Sequence, residues 1–292
     1  MGNVFGTVSA VADLGPRIRR IVFDVPELAQ LHLPGRGDDA VGIYFPEPGS
    51  SRPPAMQCRD GVWDFVDASD APEGRNYSVR RVGTADGRIT CDFVLHQQGV
   101  ASDWARRVRI GEQVLLAHGR GWYRPEETTR WQLLIADLSG LPALARILEE
   151  LPEGTQASVL VEVAEQDDLS YLPARRDVSI AATVGTGNGC APSRLAEMVR
   201  QYLLPDGRGY CWFAGEAQAT RQVRKHLRGQ HRWAAGQYDI VGYWRFDSET
   251  WDRKYEEVSD EMEAVYARAL ADGKDEKIAS EEFDLALECA GL

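Results

Sequence analysis

Arg75-Asn76-Tyr77-Ser78, followed eighteen residues after Ser78 by His96 and then by Gly99-Val100-Ala101-Ser102, is the stretch of this 292-residue chain whose side chains could do chemistry together. In an extended strand, residues i and i+2 point the same way. Arg75 can therefore meet a pyrophosphate while Tyr77 lays its ring against a planar heterocycle, and Ser78, on the next position, offers a hydroxyl to the nitrogen edge of that plane. Gly99 to Ser102 falls where a strand gives way to a short helix carrying Trp104-Ala105, so its amides can point at a phosphate. His96 closes the strand Asp92-Phe93-Val94-Leu95 and can donate toward the same phosphates or a ribose. An isolated Arg-x-Tyr also reads as a cross-strand pair on a solvated face, and a lone histidine as a satisfied structural residue. The downstream glycine segment turns the combination into a flavin cradle.

These residues need a scaffold that holds them still. Residues 1–128 carry short β-like runs between turn residues, among them Arg19-Arg20-Ile21-Val22-Phe23-Asp24-Val25, Val41-Gly42-Ile43-Tyr44-Phe45, Arg88 to Leu95 and Glu112-Gln113-Val114-Leu115-Leu116. That pattern predicts a small antiparallel β-barrel, with Pro46 to Pro54 as a surface loop. From 129 to 247 buried apolar strands alternate with helices: Trp131 to Ala136, Leu141 to Leu151, Ala157 to Val163, Val178 to Thr183, Arg194 to Leu203, Tyr210 to Ala214 and Tyr238 to Val241. Such alternation implies a parallel sheet covered on both faces, an α/β domain. In 248–292, Trp251, Tyr255, Val258, Met262, Val265 and Ala269 step by 4 and 3 as one helical stripe, and Ser280 before Glu281-Glu282 starts a second, shorter helix. This acidic helical extension is expected to pack on the body in cis or in a dimer.

Composition bounds the rest. A length of 292 residues with 43% hydrophobic content fits two folded domains. Five cysteines, at 58, 91, 190, 211 and 289, match neither a disulfide scaffold nor a zinc or iron–sulfur spacing and point to a reducing cytoplasm. No charged-then-apolar leader opens the sequence, and its apolar runs fall short of the roughly 20 residues a membrane helix needs. The net charge of −12 is mostly terminal: 14 acids and 5 bases fall in 248–292, against 31 and 28 in the remainder. No basic stripe suggests nucleic acid.

A barrel followed by a parallel α/β domain, with Arg-x-Tyr-Ser in the first, resembles the ferredoxin-reductase superfamily. The order of Arg75-Asn76-Tyr77-Ser78-Val79-Arg80, Asp92-Phe93-Val94-Leu95-His96 with Gly99, Ala101-Ser102 and Trp104, then Ala136-Asp137, Leu141-Pro142-Ala143, Ala214-Gly215-Glu216 and Gly242-Tyr243-Trp244-Arg245 is similar to the siderophore-interacting protein family over about residues 3–246. The resemblance implies FAD, a ferric siderophore as substrate, and electrons from NAD(P)H, with Asp92, Phe93, Val94, Trp104, Asp137, Gly215, Glu216 and Trp244 joining the cradle residues as cofactor contacts. It implies no protein ligand for a resident metal. Flavin suits the task because hydride donors deliver two electrons and Fe(III) accepts one.

Several elements keep two readings. Gly185-Thr186-Gly187-Asn188-Gly189-Cys190-Ala191-Pro192-Ser193 lies between a strand and a helix and either touches NAD(P)H or only packs the helix bearing Leu195, Met198, Val199 and Tyr202. In the second case reduced ferredoxin becomes the donor. The helix with Arg221, Arg224, Lys225, His226 and Arg228 reads as a solvated basic face or as a phosphate contact. Relatives commonly place a lysine where this chain has Gly42, which leaves Arg52, Arg59 and Arg245 as candidates to attract an anionic siderophore. A binding protein without efficient reductase activity and a general flavin reductase remain the competing functions.

Overall fold

The computed structural model describes residues 2–59, 62–65, 71–96, 99–246 and 248–292, with the side chains of Arg59, Val62, Ser248 and Glu249 outside the described set. Eight strands open the chain: β1 (Asn3–Asp13), β2 (Ile18–Asp24), β3 (Ala40–Tyr44), β4 (Gln57–Arg59), β5 (Val62–Asp64), β6 (Gly74–Gly83), β7 (Arg88–Val94) and, after helix α1 (Val100–Arg107), β8 (Gln113–Arg120). Six of them close into a barrel in the order β1-β2-β7-β6-β3-β8, while β4 and β5 form a separate hairpin. Alternation makes the barrel: in β1, Val4, Gly6 and Val8 face inward and their neighbours do not. The interior is filled by Ile21, Phe23, Val41, Ile43, Val79, Phe93 and Trp104, and closure leaves the six strands no free edge.

The second domain is a parallel sheet of β9 (Trp131–Ala136), β10 (Gln156–Val163), β11 (Val178–Val184), β12 (Gly209–Glu216) and β13 (Tyr238–Trp244) in the order β11-β10-β9-β12-β13. Helix α2 (Leu141–Glu150) covers one face, and α3 (Leu195–Gln201) and α4 (Ala217–Gln230) cover the other. Strand β9 is buried along its whole length, as a central strand should be.

The expectation that the Val178–Thr183 strand is buried on both faces is corrected. Strand β11 is the sheet edge and most of it is exposed, Ile180 at 45%. The physical reason is its crossover: β10 returns to β11 through a 3-10 turn at Gln166–Tyr171 and not through a helix that could cover it.

The C-terminal region holds three helices where the stripe predicted two: α5 (Ser248–Glu256), α6 (Ser259–Ala271) and α7 (Glu276–Cys289). The apolar spacing runs unbroken through Val258, but the backbone turns there, with Val258 N–H donating to Tyr255 O. Helix α7 starts at Asp275, whose carboxylate accepts from Ile278 N–H, and not at Ser280. The extension docks in cis. Asp284 pairs with Arg224 at 2.7 Å, Glu288 with Arg228 at 3.4 Å, and Lys277 reaches Asp239 at 2.9 Å. Part of the basic face of α4 is therefore covered by the acids of α7 and is not solvated.

Buried polar ties fix the barrel on the sheet. Trp212 Nε1 donates to Asp38 at 2.9 Å, Arg146 donates to Val79 O at 2.9 Å and pairs with Asp39 at 3.3 Å, and Tyr171 Oη donates to Asp92 at 2.5 Å. Losing one partner of such a buried pair strands the other without solvent, which is why these contacts resist relative domain motion.

Candidate functional site

A cleft of about 350 Å³ opens at the seam between the two domains. Strand β6 supplies Arg75, Asn76, Tyr77 and Ser78 along one wall, the end of β7 supplies Val94 and His96, and the start of α1 supplies Gly99, Ala101 and Ser102. Opposite them stand Ser139, Pro142, Tyr243 and Trp244 of the sheet domain.

Each wall follows from local sequence. Tyr77 lies against Phe93 with ring centroids 4.0 Å apart and planes tilted by 31°, so its ring is braced from behind, and burial keeps its phenol neutral well above the usual range. Ser78 Oγ donates to Tyr243 Oη at 3.4 Å, joining the walls. Arg75 is exposed and paired with Glu73 at 3.0 Å, a surface contact of small worth that a phosphate can replace. Gly99 opens α1 at φ 132°, and nothing lies within 4 Å of where its side chain would stand. The first amides of a helix have no internal partner, so the start of α1 presents donors to the cleft. Ser102 Oγ accepts from His96 N–H at 3.0 Å, which fixes the strand end beside those amides. Partial burial, then Arg106, lower the imidazole of His96 below its ordinary pKa.

Five expected contacts sit elsewhere. Phe93 and Trp104 have no exposed surface and belong to the barrel core, Trp104 packing on Phe23, Phe45 and Phe93. They back the cradle and do not line it. Asp137 is buried at the end of β9, where Oδ1 accepts from Ser139 N–H at 2.9 Å and Oδ2 accepts from Glu216 N–H at 2.9 Å and Trp244 Nε1 at 2.7 Å. A carboxylate so occupied organises the junction of β9, β12 and β13. Gly215 belongs to the same junction, since a Cβ there would stand 2.9 Å from Asp137 Oδ2. Glu216 caps α4 by accepting from Gln218 and Ala219 N–H, and it faces a different cavity. Asp92 reaches the cleft wall, yet its carboxylate is held by Arg20 at 2.8 and 2.7 Å and by Tyr171.

That other cavity, about 550 Å³, is lined by the glycine loop from Gly187 to Ser193, by Glu216, Gln218 and Gln222 of the α4 end, and by Trp244 and Phe246. Trp244 thus stands between the two cavities. The loop's inner side is structural: Thr186 Oγ1 and Arg194 N–H donate to Glu162 Oε1 at 2.7 Å each, and Asn188 Oδ1 accepts from Leu138 N–H at 2.9 Å. Its outer side is open at Gly189, φ 79°. The loop thus packs on its inner side and borders the cavity on its outer side.

Of the expected substrate arginines, Arg52 stacks on the Phe5 ring at 3.8 Å and Arg245 on the Trp251 ring at 4.0 Å, and neither lines the seam cleft. Arg59's side chain lies outside the described residues. Arg120, which no sequence motif singled out, comes close instead: it lies within electrostatic reach of Tyr243 and Tyr44, with no ion pair among the described residues. A bulge in β8, where His118 takes φ 54° and the pairing with β3 slips between Ala40 and Gly42, redirects this end of the strand. Ser139 and Pro142 were not expected to line the site, although Pro142 belongs to a motif quoted above, and Tyr243 lines it beside Trp244 at the end of β13. No helix among the described residues is long and apolar enough to cross a membrane, and no group of three or more metal-ligating side chains occurs among them.

A closed antiparallel barrel joined to a parallel sheet of this order is the fold of a ferredoxin NADP+ reductase from Neisseria gonorrhoeae, which superposes with a TM-score of 0.61 at 15% identity over 83% of this chain and 99% of that one. Within that fold, residues 7–123 match the siderophore-interacting FAD-binding domain and residues 129–247 the siderophore-interacting protein domain, so the chain belongs to the siderophore-interacting protein family. It is 29% identical over 216 residues to the NADPH-dependent ferric-chelate reductase of Escherichia coli, covering 71% of this chain and 79% of that protein. It is 27% identical over 210 residues to the ferric vibriobactin reductase ViuB of Vibrio cholerae, covering 70% and 76%. A siderophore utilization protein from T. fusca superposes with a TM-score of 0.73 at 28% identity, over 84% of this chain and 93% of that one.

Proposed function

We propose that this chain is an FAD-dependent reductase that passes electrons from NAD(P)H to the Fe(III) of a siderophore, so that Fe(II) is released. The observation that carries the reading is the position of Trp244, which lines both the seam cleft and the cavity under the glycine loop and so sets two ligand spaces side by side. FAD, when bound, supplies the exchange between a two-electron donor and a one-electron acceptor. The seam residues fit it: an exposed cation and helix amides suit a pyrophosphate, and the flat, supported Tyr77 ring suits an isoalloxazine.

In this reading Arg75 and the amides of Val100, Ala101 and Ser102 hold phosphate oxygens. Tyr77 fixes the plane of the ring, and Tyr243 and Trp244 keep water from the opposite side. Arg120 draws an anionic ferric siderophore to the barrel rim, helped by the low-dielectric surroundings that leave its charge uncompensated. Hard oxygen ligands hold Fe(III) better than Fe(II), so one electron loosens the complex. We place the activity in the cytoplasm, in keeping with the five free cysteines.

Anaerobic titration in one cuvette tests the proposal. The FAD-loaded protein is expected to bleach with NADPH or NADH and to regain colour on adding ferric siderophore while a ferrous chelator reports Fe(II). Protein that takes up no FAD, or that bleaches and yields no Fe(II), rejects it.

A further inference from the structure

A second, smaller cavity of about 220 Å³ lies beyond the glycine-loop cavity, where α4, the end of β13 and the C-terminal extension meet. Three cations converge on it: Arg221 from α4, Arg245 after β13, and Lys254 from α5. None of the three forms an ion pair among the described residues, in a chain whose net charge is −12 and whose extension alone carries 14 acids. The neighbouring acids are engaged or turned aside. Glu216 caps the first amides of α4 with one oxygen and, like Asp252, lies within Coulomb reach of Arg245 without pairing, while Asp284 pairs with Arg224. Arg245 is half-buried against Trp251, and like-charge repulsion from Arg221 adds to the cost of its charge. Three cations without an ion-pair partner among the described residues, facing the single side-chain carboxylate of Glu216 in the lining, leave an excess of positive charge that suits a compact dianion.

The cavity shares Glu216, Gln218 and Phe246 with the larger one beside Trp244, so one elongated ligand can occupy both. Phe246, 72% exposed at their common border, offers an open aromatic face to a base. We infer that this cavity takes the 2′-phosphate of NADPH, so that residues contributed partly by the C-terminal extension make the chain select NADPH over NADH. The inference rests on the reductase reading for its ligand class. A phosphomonoester carries close to two negative charges at pH 7 and three acceptor oxygens, which three cations can meet.

Calorimetry on the FAD-loaded protein tests this without turnover, with adenosine 2′,5′-bisphosphate and adenosine 5′-monophosphate as probes. The bisphosphate is expected to bind at least about tenfold more tightly, and Arg221→Gln and Lys254→Gln each to remove most of that preference. In steady state the same variants are expected to raise KM for NADPH while leaving KM for NADH within about twofold. Equal binding of the two probes, or variants that keep the preference, overturns the assignment. Inorganic phosphate binding as tightly as the bisphosphate makes this a free-anion site and also overturns it, as does a loss of affinity for ferric siderophore in place of the bisphosphate. If the preference and its loss are seen but no Fe(II) forms, the phosphate site stands and the reductase reading fails. Fe(II) formation with a nucleotide preference that the variants leave unaltered rejects the phosphate site and leaves the reductase reading standing.

Discussion

The indole N–H of Trp244 donates to Asp137 Oδ2 at 2.7 Å, and this bond ties the end of β13 to the end of β9 across the strand between them. The same oxygen accepts from Glu216 N–H, so one buried carboxylate fixes the residue that stands between two cavities and the turn that starts α4. Ligands of open α/β sheets bind where the strand order reverses, and here that point lies between β9 and β12.

Asp137→Ala is therefore expected to destabilise the fold by on the order of 3 kcal/mol, because it leaves the Glu216 amide and the Trp244 indole without acceptors in a buried site. Trp244→Phe removes one donor of several and should cost about 1 kcal/mol. Urea unfolding measures both. Equal losses from the two variants would contradict the organising role given to the carboxylate.

Arg75→Gln should weaken FAD binding about 10- to 100-fold while leaving urea stability almost unchanged, since its only ion pair among the described residues is an exposed one with Glu73. Glu73→Gln should leave FAD affinity equal or slightly higher. Fluorescence titration of apoprotein with FAD reads both, and an Arg75→Gln protein with native affinity would remove the arginine from the cradle.

The sequence alone carried the two architectures and most of the cradle, because both depend on local periodicity and on residues close together in the chain. The runs at 19–25 and 41–45 fall on β2 and β3 of the barrel, and the strand-to-helix break at Gly99 announced open amides. Roles that depend on distant partners did not show. Trp104 sits between cradle-like residues in the chain, but its neighbours in space are Phe23 and Phe45. Arg245 looked available to the substrate cleft, yet it stacks on Trp251 of α5 and lines the cavity beside α4. The break at Val258 was hidden because the apolar stripe continues through a turn that changes only the backbone. The missing helix over β11 was equally hidden, since a buried and an exposed apolar run have the same composition.

Trp104→Phe separates a core role from a ligand role. Its indole N–H has no partner among the described residues, so the smaller ring costs packing and no hydrogen bond. We expect a loss of about 1–2 kcal/mol in stability with FAD affinity preserved, against about 3–5 kcal/mol for Trp104→Ala. A Trp104→Phe protein of native stability that no longer binds FAD would restore the ligand role.

Gly42→Lys asks whether the barrel rim chooses among siderophores by charge. A Cβ at Gly42 meets nothing nearer than 3.5 Å, with His118 and Asn76 beside it, so the start of a side chain is accommodated there without displacing backbone. With Arg120 nearby, the added charge should lower KM for anionic ferric siderophores by about tenfold and leave neutral hydroxamate complexes nearly unaffected. Arg52→Ala, whose side chain is spent on Phe5, should change neither. An equal gain for both siderophore classes would argue against electrostatic selection at this rim.

The pH dependence of FAD binding follows from His96. Partial burial and Arg106 lower its pKa in the free protein, so at pH 7 the ring is neutral. As pH falls below about 6.5, the ordinary histidine value, the unfolded chain takes up the proton before the folded one does. The free protein therefore loses this histidine's share of stability toward acid. Bound phosphates reverse the sign locally, because their negative charge favours the imidazolium and raises its pKa. FAD affinity should accordingly increase from pH 8 to pH 6 by a few-fold, with uptake of a proton detectable by calorimetry in buffers of different ionisation enthalpy, while the pyrophosphate itself stays fully ionised. His96→Gln should flatten the profile and abolish the uptake. A wild-type profile that is flat, or that falls toward acid, would place the histidine away from the phosphates.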